Sequence, residues 1–181
     1  MPDRRSRPVT PEFARPADVS RLEDGEEMHE SIAANAEEMM RLADRFDLQE
    51  ISRLEAEIDL ARSGRQVEVE ASFRAAVVQT CVVTLDPVPA TLEERFVQVY
   101  DPDVRPTGEF DEPLSVDDDP PEPLIDETID LGEMVAERLG LALDPYPRKE
   151  DATVDPRYLA RDEGEAERTG PFAALEALKR R

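Results

Sequence analysis

His29 and Cys81 are the single histidine and the single cysteine of this sequence, and nucleophilic or metal chemistry would have to start from them. A Ser-His-Asp or Cys-His arrangement needs its base beside its nucleophile, and these two residues fall on different expected elements. A Cys/His zinc site takes about four nitrogen and sulfur donors, more than two residues supply. Cys81 has no partner for an intramolecular disulfide, so pairing implies no redox compartment. No glycine-rich phosphate cradle occurs among the seven glycines. Acidic pairs are abundant, but a catalytic carboxylate pair cannot be told by sequence from solvated surface acid. The chemistry on offer is therefore non-enzymatic, with no cofactor and no metal, and charge is its main resource.

That charge is uneven. The 181 residues hold 44 Asp and Glu against 22 Lys and Arg, a formal net charge of −22. Residues 101–127 carry eleven carboxylates against Arg105 alone, together with six of the sixteen prolines. Such a stretch repels itself and resists both helix and ladder, so it is expected to be a long mobile acidic loop. Asp111, Glu112, Asp117, Asp118, Asp119 and Glu122 are its candidate contacts to a basic partner. The ends of the chain are basic. Arg4, Arg5, Arg7 and Arg15 near the start are the candidate RNA contacts, joined by Lys179, Arg180 and Arg181 if the termini converge. Phosphate binding elsewhere is disfavoured by the overall acidity.

These groups need elements to hold them. Residues 26–46 read as the first helix, since Ile32, Ala36, Met39, Ala43 and Phe46 recur at steps of three and four. Its first turn would hold Glu26, Glu27, Glu30 and His29, with no second ligand in view. From Leu54 the period changes to two: Leu54, Ala56, Ile58 and Leu60 alternate with polar residues. After the turn at Gly64 the odd residues from Val67 through Cys81 to Val83 share one face of a long strand. Its other face begins polar and turns apolar at Ala76, Val78 and Val82, so its second half is expected to be covered on both sides. Cys81 is in phase with the buried face, as an inert core cysteine would be.

Pro87 and Pro89 should end that strand, and residues 91–100 offer a third. Asp130 with Glu133 resembles a capping box for a helix over Leu131, Met134, Val135, Leu139 and Ala142, closed by Asp144-Pro145. Pro171 then opens a short C-terminal helix with Phe172, Leu175 and Leu178 on one face. A helix so short is marginal alone and must dock on something.

The fold class expected is α+β: a small antiparallel sheet, made of a long hairpin plus a third strand, packed against helices. Three segments follow: a basic N-terminal segment 1–22 with an edge strand, a domain 23–147 containing the acidic loop, and a polar tail 148–181. No stretch approaches the roughly 20 apolar residues of a membrane span, and the N-terminus lacks the apolar run of a signal peptide, so the cytoplasm is the expected location.

The run from Val77 to Val88, VVQTCVVTLDPV, resembles the signature strand of the YceD family, the bacterial large ribosomal RNA subunit accumulation proteins. Cys81, Thr84, Leu85 and Pro87 stand on its Cys-x-Arg-Cys-Leu-x-Pro pattern. The preceding strand-turn-strand, the acidic Pro-rich segment, Ile129-Asp130-Leu131-Gly132-Glu133 and the helix running into Leu143-Asp144-Pro145-Tyr146-Pro147 follow in the family's order, over about residues 10–150. Val83-Thr84 replaces the family's Arg-Cys, and Pro147-Arg148-Lys149 stands where a second cysteine pair usually follows, so a four-cysteine metal site does not transfer. The resemblance implies a ribosome biogenesis role in accumulation of large-subunit (23S) ribosomal RNA, without catalytic residues. A basic ribosomal protein or assembly factor attracted to the acidic loop is the partner that physics suggests. Direct binding of ribosomal RNA by the basic termini is the alternative. An acidic DNA-mimic inhibitor is a third, and it would need carboxylates spaced on an ordered surface.

Overall fold

A computed structural model describes residues 11–104 and 120–154. In chain order the elements are β1 (Pro16–Asp18), β2 (Glu27–Ala33), α1 (Ala36–Arg45), β3 (Glu50–Ser63), β4 (Gln66–Thr80), β5 (Pro87–Asp101), β6 (Glu122–Pro123), β7 (Thr128–Asp130) and α2 (Leu131–Ala142). One sheet has the order β2-β3-β4-β5-β6, and β1 pairs with β7 in a separate two-stranded ribbon. The α+β class is as expected. The sheet is mixed rather than wholly antiparallel, because β6 runs parallel to β5.

The β3–β4 hairpin is the frame. Gly64 takes φ +60 at its tip, a conformation that costs glycine little. Antiparallel pairing then runs from Ser63↔Gln66 to Glu50↔Val78, with one bulge between Ile51 and Arg53. Period-two alternation sends Leu54, Ala56, Ile58 and Leu60 of β3 and Val67, Val69, Ala71, Phe73, Ala75 and Val77 of β4 to one face, all buried. Both helices contribute to the same core, through Leu42 and Ala43 of α1 and Leu131, Met134, Val135, Ala136 and Leu139 of α2. Phe13 and Val19 are also fully buried in it, so residues 11–22 pack with the rest. With no Trp in the chain, Phe13 and Phe73 are the bulkiest fully buried side chains among the described residues, each worth roughly 1.5–3 kcal/mol of burial.

Several expectations need correcting. The helix expected over residues 26–46 is a strand, β2, followed by the shorter α1. Residues 27–33 pair along β3 from Glu27↔Ala61 to Ala33↔Glu55, and that ladder outweighs their helical spacing. The helix starts at Asn35, whose side chain accepts from the Glu37 and Glu38 N–H groups while Glu38 accepts the Asn35 N–H, a complete capping box. It ends at Phe46, with Asp47 at φ 53. Pro87 and Pro89 do not end a strand before a third begins at Thr91; they lie within β5. Beyond its two-residue pairing with β6, β5 has no second neighbour among the described residues, and proline is tolerated on such an edge.

The acidic stretch is not a loop throughout. Its described end forms β6, opposite Tyr100 and Asp101, and Leu124 beside it is buried. α2 spans the expected residues with Asp130 as N-cap, but Glu133 does not reach back to close a capping box. Its carboxylate instead binds Arg45 at 2.8 and 2.9 Å.

Candidate functional site

Two places in the fold gather the residues singled out above: the outer, solvent-facing side of the sheet and the turn after β4.

On the outer face the strand registers stack charge into rungs. His29 lies opposite Asp59, Asp59 opposite Glu70, and Glu70 opposite Val97. The next rung is Ser31, Glu57, Ser72 and Arg95, and the one after it is Ala33, Glu55, Arg74 and Glu93. On the other side lie Glu27, Ala61, Glu68 and Val99. In these four rungs seven carboxylates share one ordered surface with Arg74, Arg95 and His29, and Arg53 lies on the same face, 3.7 Å from Glu55. Arg74 pairs with Glu93 at 3.2 Å and Arg95 with Glu70. His29 is an exposed cross-strand residue, with Asp59 at 2.7 Å from Nδ1 and Glu57 at 3.2 Å from Nε2. The bond to Asp59 raises its pKa above the ordinary value, and Glu57 adds to the effect. Glu57, Asp59, Glu68 and Glu70 were not picked out as site residues from sequence. Their signal was the polar half of the same alternation that marked the core.

Cys81 follows the last residue of β4 and is fully buried, so the burial expected for it holds although it lies in a turn. Its N–H donates to the Asp86 carbonyl and its carbonyl accepts from the Leu85 N–H, which closes the turn over residues 81–86. The Thr84 N–H points at Sγ at 3.5 Å. Hydrogen bonding by Thr84, with backbone donors at Lys149 and Val83, lowers the thiol pKa to about 6. Leu85 is 74% exposed and sits at φ 63, a left-handed conformation unusual for a branched residue. The segment after α2 closes on this turn, since the Val82 N–H donates to the Pro147 carbonyl at 2.9 Å.

The donor set here does not fit a zinc ion. One thiol is present, its sulfur already accepts backbone N–H groups, and Thr84, Pro147 and Lys149 offer no further thiolate or imidazole. Among the described residues no group of three or more His, Cys, Asp and Glu could hold a metal.

Thus Cys81, Thr84, Leu85 and Pro87 stand together at one end of the sheet, and Glu122 stands in β6. Tyr100, opposite Glu122, has its phenol pushed up first by burial and then by the carboxylates of Glu122 and Glu137. Arg15 is half-buried and its guanidinium is engaged within the fold. Its guanidinium binds both oxygens of Glu38 at 2.8 and 2.9 Å, donates to the Ala14 and Ala33 carbonyls, and lies 4.6 Å over Phe13. Arg4, Arg5, Arg7, Asp111, Glu112, Asp117, Asp118, Asp119 and the C-terminal bases lie outside the described residues.

No helix among the described residues is long and apolar enough to cross a membrane. No curated protein and no solved structure matches the chain. The model of the family described as "Large ribosomal RNA subunit accumulation protein YceD" matches residues 69–179, so of the resemblance over about residues 10–150 the part from β4 onward lies inside the match and residues 10–68 lie outside it. With more than half of its length inside that match, the chain belongs to the YceD family.

Proposed function

We propose that this protein is a non-catalytic factor in the accumulation of large-subunit ribosomal RNA, acting through a basic ribosomal protein or assembly factor. Family membership supports the process. The observation that carries the mode of action is the ordered outer face, where Glu27, Glu55, Glu57, Asp59, Glu68, Glu70 and Glu93 outnumber Arg53, Arg74 and Arg95 on paired strands. A fixed acidic surface steers a basic protein into encounter and repels bare phosphate. Asp111, Glu112, Asp117, Asp118, Asp119 and Glu122 extend the same charge along the chain and act with it. The Arg4, Arg5 and Arg7 segment is the place from which RNA would be touched directly.

The test is depletion of the protein, followed by ribosome profiles and large-subunit RNA quantitation, with complementation by two chains. The wild-type chain should restore the RNA. A chain carrying Glu57→Gln, Asp59→Asn and Glu68→Gln should restore it poorly and should co-purify less of the basic partner at low salt. Normal large-subunit RNA after depletion overturns the process. Full complementation by the neutralised chain overturns the mode of action. Loss of complementation on changing Arg4, Arg5 and Arg7 instead would move the contact to RNA.

A further inference from the structure

Among the described residues β5 is paired along its length on one side only. Its ladder with β4 runs from Thr80↔Pro87 to Val67↔Tyr100, whereas β6 reaches only Tyr100 and Asp101. In an antiparallel ladder successive residues turn their N–H and C=O groups to opposite sides. Two observations fix which set of β5 faces outward. Pro87 and Pro89 lie within the ladder and have no N–H to give it. The Asp101 carbonyl accepts the Leu124 N–H from the β6 side. The odd residues therefore turn outward, and among the described residues the backbone groups of Thr91, Glu93, Arg95 and Val97 meet no second strand. All four residues are exposed.

A row of outward N–H and C=O groups at strand spacing is complementary to one kind of ligand, an extended polypeptide. Charge says which kind. On the outer face an added strand would lie beside Glu93 and Arg95, at the margin of the surface where carboxylates outnumber arginines. Both arginines nearest the edge are engaged, Arg95 by Glu70 and Arg74 by Glu93. On the inner face the strand would lie beside half-buried Leu92 and Glu94, and beside Phe96, which is buried with the Arg138 guanidinium 4.8 Å over its ring. Basic side chains suit the outer side, and apolar ones suit Leu92. A second copy of this chain fits less well. It would bring its own Glu93, Glu94, Pro87 and Pro89 and a further formal charge of −22.

We propose that an extended basic segment of a partner protein adds to the sheet along Thr91–Val97 as a further strand. For the nature of the partner this rests on the reading above, and it gives that partner a seat: the acidic face attracts the segment and the β5 backbone holds it. Main-chain bonding accepts any extended chain, so the segment is recognised by extension, charge and alternation rather than by one fixed motif.

Amide hydrogen exchange of the full chain, read residue by residue by NMR, tests this with a capped decapeptide of alternating lysine and valine as probe. In the dilute chain alone the amides of Thr91, Glu93, Arg95 and Val97 should exchange fast, and those of Leu92, Glu94 and Phe96, which face β4, slowly. Saturating peptide should slow the first set by at least about tenfold and leave the second unchanged. Only one alternate set of peptide N–H groups can face β5, so N-methylation of that set should abolish protection and methylation of the other should not. Val97→Pro, placed on the edge as Pro87 and Pro89 are, should weaken peptide binding roughly tenfold. The methylation patterns decide without any change to the chain. Slow exchange of the four amides in the dilute chain, or slowing as the chain is concentrated without peptide, puts another occupant on the edge and overturns the proposal. No protection by the lysine peptide, equal effects of the two methylation patterns, or equal protection by a peptide with glutamate in place of lysine also overturns it. If the edge takes no peptide while the chain with Glu57→Gln, Asp59→Asn and Glu68→Gln still restores RNA poorly, the strand addition falls and the acidic-face reading stands. Normal large-subunit RNA after depletion, with protection intact, gives the reverse.

Discussion

Replacing Glu38 by Ala tests the junction that ties the N-terminal segment to α1 and α2. Glu38 is 8% exposed, and its two oxygens take Arg15 from both sides while one also accepts the Asn35 N–H at 2.8 Å. Arg15 in turn reaches α2, because its N–H donates to the Asp130 carboxylate and its carbonyl accepts the Leu131 N–H. The Arg15 side chain is 32% exposed, so water recovers part of the lost pairing, which leaves about 1–2 kcal/mol for that contact. The Asn35 N–H loses its acceptor for about 1 kcal/mol more, and alanine's helix propensity returns a few tenths. The net loss is about 2–3 kcal/mol, read in urea unfolding as a midpoint lowered by roughly 1–1.5 M at an m-value of about 2 kcal/mol/M.

Glu37→Ala is the control. Glu37 is 74% exposed and pairs with Arg41 one turn on, so it should cost no more than about 0.5 kcal/mol. Arg15 also holds the Glu38 carboxyl below its usual range, so the stabilisation is present above pH 4.5 and is lost as pH falls through the lowered value. Glu38→Ala should flatten that acid limb. A midpoint shift no larger than that of Glu37→Ala would refute the assignment of the junction.

Three further outcomes follow from the same geometry. Gly132→Ala should destabilise the fold by at least about 1–3 kcal/mol in the same assay, because an added Cβ would lie 2.0 Å from the Phe13 carbonyl oxygen, a backbone atom with no rotamer to yield. His29 should titrate above 6.5 by NMR and return toward that value in Asp59→Asn; its contribution to stability is full below 6.5 and fades as pH rises through the raised pKa. The Cys81 thiolate should appear in ultraviolet absorbance with a midpoint near 6, and Thr84→Val should move it up toward 9.0. Its stabilising effect is present above 9.0 and is lost as pH falls through about 6.

Local pattern carried the sequence furthest where chemistry repeats along one element. The alternation in residues 54–61 and 67–79 identified the hairpin and its buried face, Gly64 marked the tip, and Asp130 marked the start of α2. Those features rest on backbone periodicity and on caps a few residues away, which neighbouring side chains specify. Residues 27–33 show the limit. Their helical spacing is real, but a partner strand 22 or more residues later claims them, and no local pattern records that ladder.

The same boundary divides the candidate site. The cysteine, the threonine, leucine and proline after it, and the excess of carboxylates were all visible in the sequence. That Arg15 is spent on Glu38, that Glu133 holds Arg45 instead of its own cap, and that backbone N–H groups from two separate segments meet at Cys81 Sγ was not. Residue type and spacing fix which groups are present and which face of an element they share. Which groups meet is decided by strand register and by packing between segments far apart in the chain, because a charge or a hydrogen-bond donor acts over a few ångströms of space and not along the sequence.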